Sequence, residues 1–185
     1  LTNGRGGMAR LRVDWGAIRS KYDCALGANL HASVPVDRHV FVKRVRAWLN
    51  ADGFLSALDR HNLTGFTGGP GGCWTFRAKA GDGRPVALTI QAAMIGGRNT
   101  TVLRFRRDPG DRPMEVRLTL RVDLEDRSFH GETRRNPGAE HHFREHCRPL
   151  NGAAGFEFRP AEDRHLRVTV SRGVFHGEPE WCEGV

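Results

Sequence analysis

Residues 115–124 read EVRLTLRVDL, and apolar and polar side chains alternate along this stretch. Successive side chains of a strand point to opposite faces of the sheet, so a period of two predicts a strand with one buried and one wet face. Antiparallel sheets commonly have this arrangement. The side chains predicted to face inward are those of Val116, Leu118, Leu120, Val122 and Leu124. We therefore expect the chain to build its core from antiparallel sheets.

The clearest pair of strands flanks the sequence AGDG at residues 80–83. Trp74, Phe76 and Ala78 alternate before it, and Val86, Leu88 and Ile90 alternate after it. Because Asp82-Gly83 can adopt a positive φ, residues 73–91 predict a β-hairpin.

Weaker signals complete the predicted fold. Residues 165–171 alternate with Leu166, Val168 and Val170 inward, and further strands are expected at residues 36–49 (one or two), 99–106, 127–132 and 155–159, roughly eight in all. Short helices are expected at residues 138–147 and 14–26. The prediction is an all-β fold, an antiparallel β-sandwich with one or two short helices, in which residues 1–185 form a single domain.

The charge pattern bears on partners. The net charge is +8, but the arginines are scattered and flanked by acids, as at Asp59-Arg60 and Glu125-Asp126-Arg127, which predicts solvated surface ion pairs. Nucleic-acid modules usually cluster their charge beside stacking aromatics, so no nucleic-acid partner is expected. No apolar run approaches the roughly 18 residues of a membrane-spanning helix, so no membrane partner is expected. Four widely spaced cysteines fit free thiols and a cytoplasmic location.

Each of two short motifs has both a structural and a functional interpretation. LTNGRGG at residues 1–7 lacks the strand, helix and Lys-Ser or Lys-Thr of a phosphate loop, which leaves an Asn-Gly turn or a glycine loop that approaches a sugar. HFREH at residues 142–146 matches a zinc-hydrolase string with His142, His146 and Glu145. No third ligand follows it, so a polar surface helix is favoured, and no metal or cofactor is expected.

A third stretch, RSKYD at residues 19–23, combines residue types that bind sugars. Charged groups and amides form hydrogen bonds with pairs of sugar hydroxyls, and an aromatic ring stacks on the C–H face of a sugar. A structural ion-pair network explains the same residues equally well.

Five motifs in this order resemble one known domain: NGRGGMARL, RSKYDCALGANLH, PVDRHVFVKR, WLNADGF and GRNTTVLRFRR. Across most of residues 1–125 the chain resembles the β-sandwich domain that precedes the glucosidase domain of prokaryotic glycogen-debranching (amylo-α-1,6-glucosidase) proteins. Its commoner members have N-G-x-G-G followed by T-R-R-Y-H-G-L, and here Asp23 and Cys24 stand in place of His-Gly.

This resemblance implies a supersandwich of the galactose-mutarotase type and a domain without catalytic residues, excised from a longer chain in which an (α/α)₆ glucosidase domain follows. That glucosidase domain is the expected partner, and an isolated domain is expected to self-associate or to lose stability. The parent is expected to be a glycoside hydrolase, with α-glucan, such as glycogen, as a further partner. The substrate-binding residues suggested by the family motifs are Asn3, Arg5, Arg19, Lys21, Tyr22 and Asp23. The alternatives are a stand-alone α-glucan-binding module, which needs an exposed aromatic platform, and a zinc hydrolase.

Overall fold

A computed structural model describes residues 1–31, 33–34, 37–109 and 114–182. It has one helix, α1 (Pro137–His146), and twelve strands, more than the eight expected. The strands, β1 to β12 in chain order, are Met8–Arg10, Cys24–Asn29, Arg38–Ala51, Phe54–Ala57, Leu63–Thr67, Gly72–Lys79, Pro85–Met94, Thr101–Arg107, Val116–Ser128, Cys147–Pro149, Gly155–Ala161 and Arg164–Thr169. In the described part of the chain, no helix has the length and apolar character needed to cross a bilayer.

The described chain divides into two compact units, Leu1–His130 and a second that starts at Gly131. The first unit contains two antiparallel sheets. One has the order β1-β2-β3-β4 with β9 also paired to β3, and the other has the order β5-β6-β7-β8. The predicted all-β, sandwich-like class is confirmed. That the 185 residues form one domain stays a prediction.

Strand β3 is the centre of the five-stranded sheet. It is a single strand of 14 residues, and Val36, where the sequence pattern placed its start, lies outside the described residues. Its whole length pairs with β9, while β2 and β4 share its other side. Asp52 and Gly53 then turn the chain with φ values of 50° and 76°, which favour Gly and Asp.

The hairpin predicted at residues 73–91 is confirmed. Cys73 pairs with Gln91 across β6 and β7, and Gly83 takes the positive φ of 84°. The six side chains predicted inward are all buried: Trp74, Phe76, Ala78, Val86, Leu88 and Ile90. The next predicted strand, at residues 99–106, is β8, but it starts at Thr101 because Asn99 lies in the preceding turn.

Strand β9 has the predicted alternation and an unexpected degree of exposure. Its predicted inward side chains are only half-buried: Val116, Leu118, Leu120, Val122 and Leu124. Their neighbours across β3, such as Leu49 and Ala51, have no exposed surface. β9 ends at Ser128 and residues 129 and 130 form a turn, so the separate strand predicted at residues 127–132 is wrong.

The helix predicted at residues 14–26 is wrong. Residues 14–23 form turns, and Cys24–Asn29 is strand β2, with five of its six residues buried. β2 lies between β1 and β3 and is covered on both faces, so its small and apolar residues show no alternation. Periodicity cannot separate such a strand from a helix.

The second unit contains α1 and a three-stranded sheet of order β10-β11-β12. The Asn136 side chain accepts a hydrogen bond from the main-chain N–H of Ala139 and so caps the helix, which confirms the one predicted at residues 138–147. Phe143 of α1 stacks on Phe158 of β11 at 5.3 Å between ring centroids. On β12, Leu166 is buried and Val168 half-buried as expected, but Val170 follows the strand's end and is exposed.

Candidate functional site

The glycine-rich loop at residues 3–7 is a closed turn. The main-chain N–H of Asn3 donates to the oxygen of Gly7 over 3.1 Å. Asn3 Oδ1 accepts from the main-chain N–H groups of Arg5 at 2.8 Å and Gly7 at 2.9 Å. Gly4 and Gly6 have φ values of 76° and 86°, which glycine adopts without steric cost. The Asn-Gly turn is therefore present, and the Asn3 side chain shapes it from inside.

Asn3 also ties this turn to two other segments. Its Nδ2 donates to the main-chain oxygen of Arg98 and to Asn99 Oδ1, both at 3.1 Å. Asn99 pairs with both main-chain groups of Asn29: its Oδ1 accepts over 3.1 Å and its Nδ2 donates over 2.8 Å. We call Asn3, Asn29 and Asn99 the asparagine cluster. Because Asn3 is only 4% exposed and both ends of its amide are occupied, its observed role is to hold these segments together.

Arg38 connects the turn to an aromatic side chain that the sequence did not single out. Its Nε donates to the main-chain oxygen of Gly6 at 2.7 Å, and its guanidinium carbon lies 5.6 Å from the ring centroid of Phe129. The Phe129 N–H donates to the Arg38 oxygen at 2.9 Å, which extends the β3–β9 pairing by one step. This contact depends on strand pairing between distant segments, so no local motif reveals it.

Tyr22 packs against the same aromatic ring, with its centroid 4.9 Å from that of Phe129. The Tyr22 hydroxyl lies 3.3 Å from Nδ1 of His130, and the Lys21 ammonium group donates to the main-chain oxygen of His130 at 3.0 Å. We call Lys21, Tyr22, Arg38, Phe129 and His130 the aromatic–basic cluster. Tyr22 is half-buried and His130 is exposed, so an aromatic ring and polar donors reach the surface together. Such a surface suits a ligand rich in hydroxyl groups.

Asp23 organises the loop at residues 19–23 from within. Its Oδ2 accepts from the main-chain N–H groups of Arg19 at 2.9 Å and Ser20 at 3.1 Å. Its Oδ1 lies 3.3 Å from Nε of Arg10. The carboxylate is 1% exposed, so it serves the loop and does not face solvent.

Buried charges lie beneath this loop. Arg127 donates through Nη2 to the main-chain oxygen of Lys21 at 2.6 Å, and its Nε lies 3.5 Å from Glu125. Lys43 Nζ lies 3.7 Å from the other Glu125 oxygen. All three side chains are buried, so the solvated surface predicted for Glu125 and Arg127 is wrong. The contact between Arg127 and Lys21 shows that the loop covers them.

Arg19 is exposed and bonded to Asp14, whose Oδ2 lies 2.6 Å from Nη2 and 3.1 Å from Nε. Burial alone raises the pKa of the Asp14 carboxyl, but the hydrogen bond and positive charge of Arg19 outweigh it, so the pKa lies below its ordinary value. This pair fastens the start of the loop to the segment that precedes it.

The structure separates the six predicted binding residues into three groups: buried Asn3 and Asp23, exposed Arg5 and Arg19, and half-buried Lys21 and Tyr22. Lys21 and Tyr22 lie together beside His130, and Asp23 supports their loop. Asn3 and Arg5 belong to the glycine turn, which Arg38 and Phe129 link to Tyr22. Their role in binding substrate stays a prediction.

The histidines of the HFREH string lie on one face of α1, with ring centroids 4.5 Å apart for His142 and His146. His146 Nδ1 lies 2.7 Å from the main-chain oxygen of His142, within hydrogen-bonding distance. Within residues 1–31, 33–34, 37–109 and 114–182, no three His, Cys, Asp or Glu side chains come close enough to share a metal ion. A zinc hydrolase therefore gains no support.

Comparison with known proteins agrees with the motifs. A family model described as glycogen debranching enzyme N-terminal matches residues 1–185, the whole chain. The chain belongs to this family. No curated protein and no solved structure matches it. The resemblance carried by motifs within residues 1–125 is thus confirmed, and membership of the glycogen debranching enzyme N-terminal family extends over the unit that starts at Gly131.

Proposed function

We propose that this chain is a non-catalytic domain of a glycogen-debranching amylo-α-1,6-glucosidase, and that it packs on the glucosidase domain of the same parent chain. Membership of the glycogen debranching enzyme N-terminal family supports the parent activity. The observation that carries the packing role is the incompletely buried apolar face of β9.

This apolar face lies at the edge of the sandwich core. The core-facing side chains of β3 are buried, whereas the apolar side chains paired with them on β9 are half-buried. At the edge of the other sheet, Leu103 and Phe105 of β8 are half-buried and Val102 is exposed. Apolar side chains left partly exposed along a strand can be covered by an interaction partner. The occupant we propose is the glucosidase domain, because the family name places this domain at the N-terminus of a larger enzyme.

The second part of the proposal concerns α-glucan access. Arg5, Arg19, Lys21 and Tyr22 would edge the opening to the glucosidase site, while buried Asn3 and Asp23 keep their loops in place. The half-buried Tyr22 ring and the donors beside it support this role. A cytoplasmic location belongs to the same proposal.

The test uses the full-length parent protein. Leu118→Gln and Leu120→Gln place amides on the β9 apolar face, and Arg117→Gln on the opposite, exposed face is the matched control. We expect the two Leu variants to separate thermal unfolding into two transitions and to speed proteolytic release of the domain. The isolated 185-residue chain should self-associate or unfold at a lower temperature than the parent. Unchanged cooperativity in both Leu variants, or a monomeric isolated chain as stable as the parent, contradicts the packing role.

A stand-alone α-glucan-binding module is the second candidate, and the position of Trp48 favours it. Trp15 and Trp74 are buried in the core, whereas Trp48 is half-exposed at a groove. Affinity electrophoresis of the 185-residue chain in gels with and without glycogen tests this function. Retardation by glycogen supports it, and equal mobility in both gels excludes it.

A further inference from the structure

A groove of about 260 Å³ lies beside Trp48 of β3, and none of its lining residues belongs to the aromatic–basic cluster. It is lined by Asp14, Trp15, Gly16, Ala17, Arg46, Ala47, Trp48, Ala57, Leu58, Asp59 and Arg60. Of the two tryptophans that line it, Trp48 is half-exposed and Trp15 is buried. The six residues that the family motifs suggested for substrate binding, Asn3, Arg5, Arg19, Lys21, Tyr22 and Asp23, do not line it.

The strand register explains why the groove is open. Trp48 pairs with Ala57 of β4 on one side and with Thr119 of β9 on the other. Residues paired directly across antiparallel strands share a face, so the indole stands between two small side chains. The backbone therefore leaves space beside Trp48 that a larger neighbour would fill.

Arg46 fixes the indole from its own strand. Its guanidinium carbon lies 5.5 Å from the Trp48 ring centroid, and its Nη2 is held 2.9 Å from Asp123. A cation over an aromatic face is favourable and restrains the ring. The platform is thus ordered before any ligand arrives, which reduces the entropy lost on binding.

Polar groups surround the platform. Asp59 and Arg60 line the groove at the turn after β4, and Asp14 lines it from the segment between β1 and β2. Trp15 also lines the groove, and its buried indole N–H has no hydrogen-bond partner among the described residues. A buried unpaired donor destabilises the fold, and a ligand hydroxyl or an ordered water can provide the missing hydrogen bond.

We propose that the Trp48 groove is a binding subsite for a short segment of α-linked glucan. An indole face matches the apolar face of a glucose ring, and carboxylates and guanidinium groups match its paired hydroxyls. The α linkage rests on the proposed function, in which the parent acts on glycogen. The subsite does not depend on packing against the glucosidase domain.

The test is a titration of the ¹⁵N-labelled 185-residue chain with maltoheptaose, followed by the indole N–H resonances. Trp48→Phe assigns the Trp48 signal, and the Trp181 signal serves as an internal reference. We expect a saturable shift of the Trp48 resonance with maltoheptaose and a much smaller one with cellohexaose. Trp48→Ala and the groove-filling Ala57→Leu should each weaken binding at least about tenfold. Phe54→Ala, which removes an exposed aromatic ring from the same β4 strand, should leave the affinity unchanged.

The outcomes separate the two proposals. Binding without a Trp48 shift, or binding unaffected by Ala57→Leu in a variant with a native amide spectrum, overturns the subsite but keeps the glucan-binding function. Equal shifts with cellohexaose overturn the α-glucan assignment. No binding at millimolar maltoheptaose overturns both, and leaves the packing role on the glucosidase domain standing.

Discussion

Arg38 Nε lies 2.7 Å from the main-chain oxygen of Gly6, and this bond connects the glycine turn to strand β3. The same guanidinium lies over Phe129, whose ring packs against Tyr22. The glycine turn and the loop at residues 19–23 are therefore coupled through one side chain of the central strand β3.

Replacing Arg38 should loosen both loops at once. Arg38→Ala removes a charged hydrogen bond to a main-chain oxygen, for which we expect a loss of about 1–3 kcal/mol in the free energy of unfolding, measured by urea denaturation. Arg38→Lys should recover little of it, because an ammonium group lacks the planar surface that lies over Phe129. Arg117→Ala, at an exposed position of β9, is the control and should change stability by less than about 0.5 kcal/mol. Equal effects of the Arg38 and Arg117 changes would contradict this coupling.

The asparagine cluster makes a steric prediction at Gly7. A Cβ atom added there would collide with Asn3 Nδ2 and lie 2.6 Å from Asn99 Oδ1. We expect Gly7→Ala to shift the side-chain amide resonances of Asn3 and Asn99 and to destabilise the chain by about 1–3 kcal/mol. Gly4→Ala is the matched control: its φ of 76° strains alanine, but nothing lies within 4 Å of the added atom. It should lower stability while leaving the Asn99 amide signals in place.

The Asp14–Arg19 pair predicts a pH dependence. The folded-state pKa of Asp14 lies below its ordinary value of 3.8, so the pair stabilises the fold above that pH and loses its contribution as pH falls through the folded-state pKa. Because Arg19 is mostly exposed, we expect Arg19→Gln to cost under about 1 kcal/mol at pH 7. The difference from the unmodified chain should shrink toward zero in acid below the folded-state pKa. Urea midpoints across this range measure it, and a difference that persists in acid contradicts the assignment.

Cys24 should be the least reactive of the four thiols. It has no exposed surface, and burial raises the pKa of its thiol above the ordinary value of 9.0. Alkylation by iodoacetamide at pH 8, followed by mass spectrometry, should modify half-buried Cys73 and Cys182 first and Cys24 only at the rate of unfolding. The raised pKa also makes the Cys24 contribution to stability complete below about pH 9 and lost at higher pH. Early alkylation of Cys24 under native conditions would refute this.

Local patterns identify the strands that have one covered face. β9 and the β6–β7 hairpin show a strict period of two, and the turn at Asp82-Gly83 has its own chemical signal. β2 shows none, because its residues are buried on both faces of the sheet. Without alternation, its small and apolar residues were wrongly predicted to be part of a helix at residues 14–26. The sequence also does not predict how deeply each inward side chain is buried. Alternation predicts that Leu118 points inward, but Leu118 is half-exposed because β9 lies at the edge of its sheet.

The sequence predicted some of the residues of the candidate site but not how they contact one another. The family motifs pointed to Tyr22 and Asp23, and the loop that contains them does lie against His130 and Phe129. That Asp23 is enclosed by its own loop, and that Arg38 bridges to Gly6, depend on pairings between distant segments. The Trp48 groove depends on register, since Ala57 and Thr119 flank the indole only when β4 and β9 are aligned on β3.

Asn99 affects whether other polypeptide chains can pair with this edge of the sheet. Its amide engages the main-chain N–H and oxygen of Asn29, two residues past Gly27, with which the first residue of β1 pairs. One side chain thus serves as a substitute for the next residue of a strand, and it leaves no open donor and acceptor there for an invading peptide. This corner of the sheet is sealed against edge-to-edge aggregation at the cost of a single asparagine.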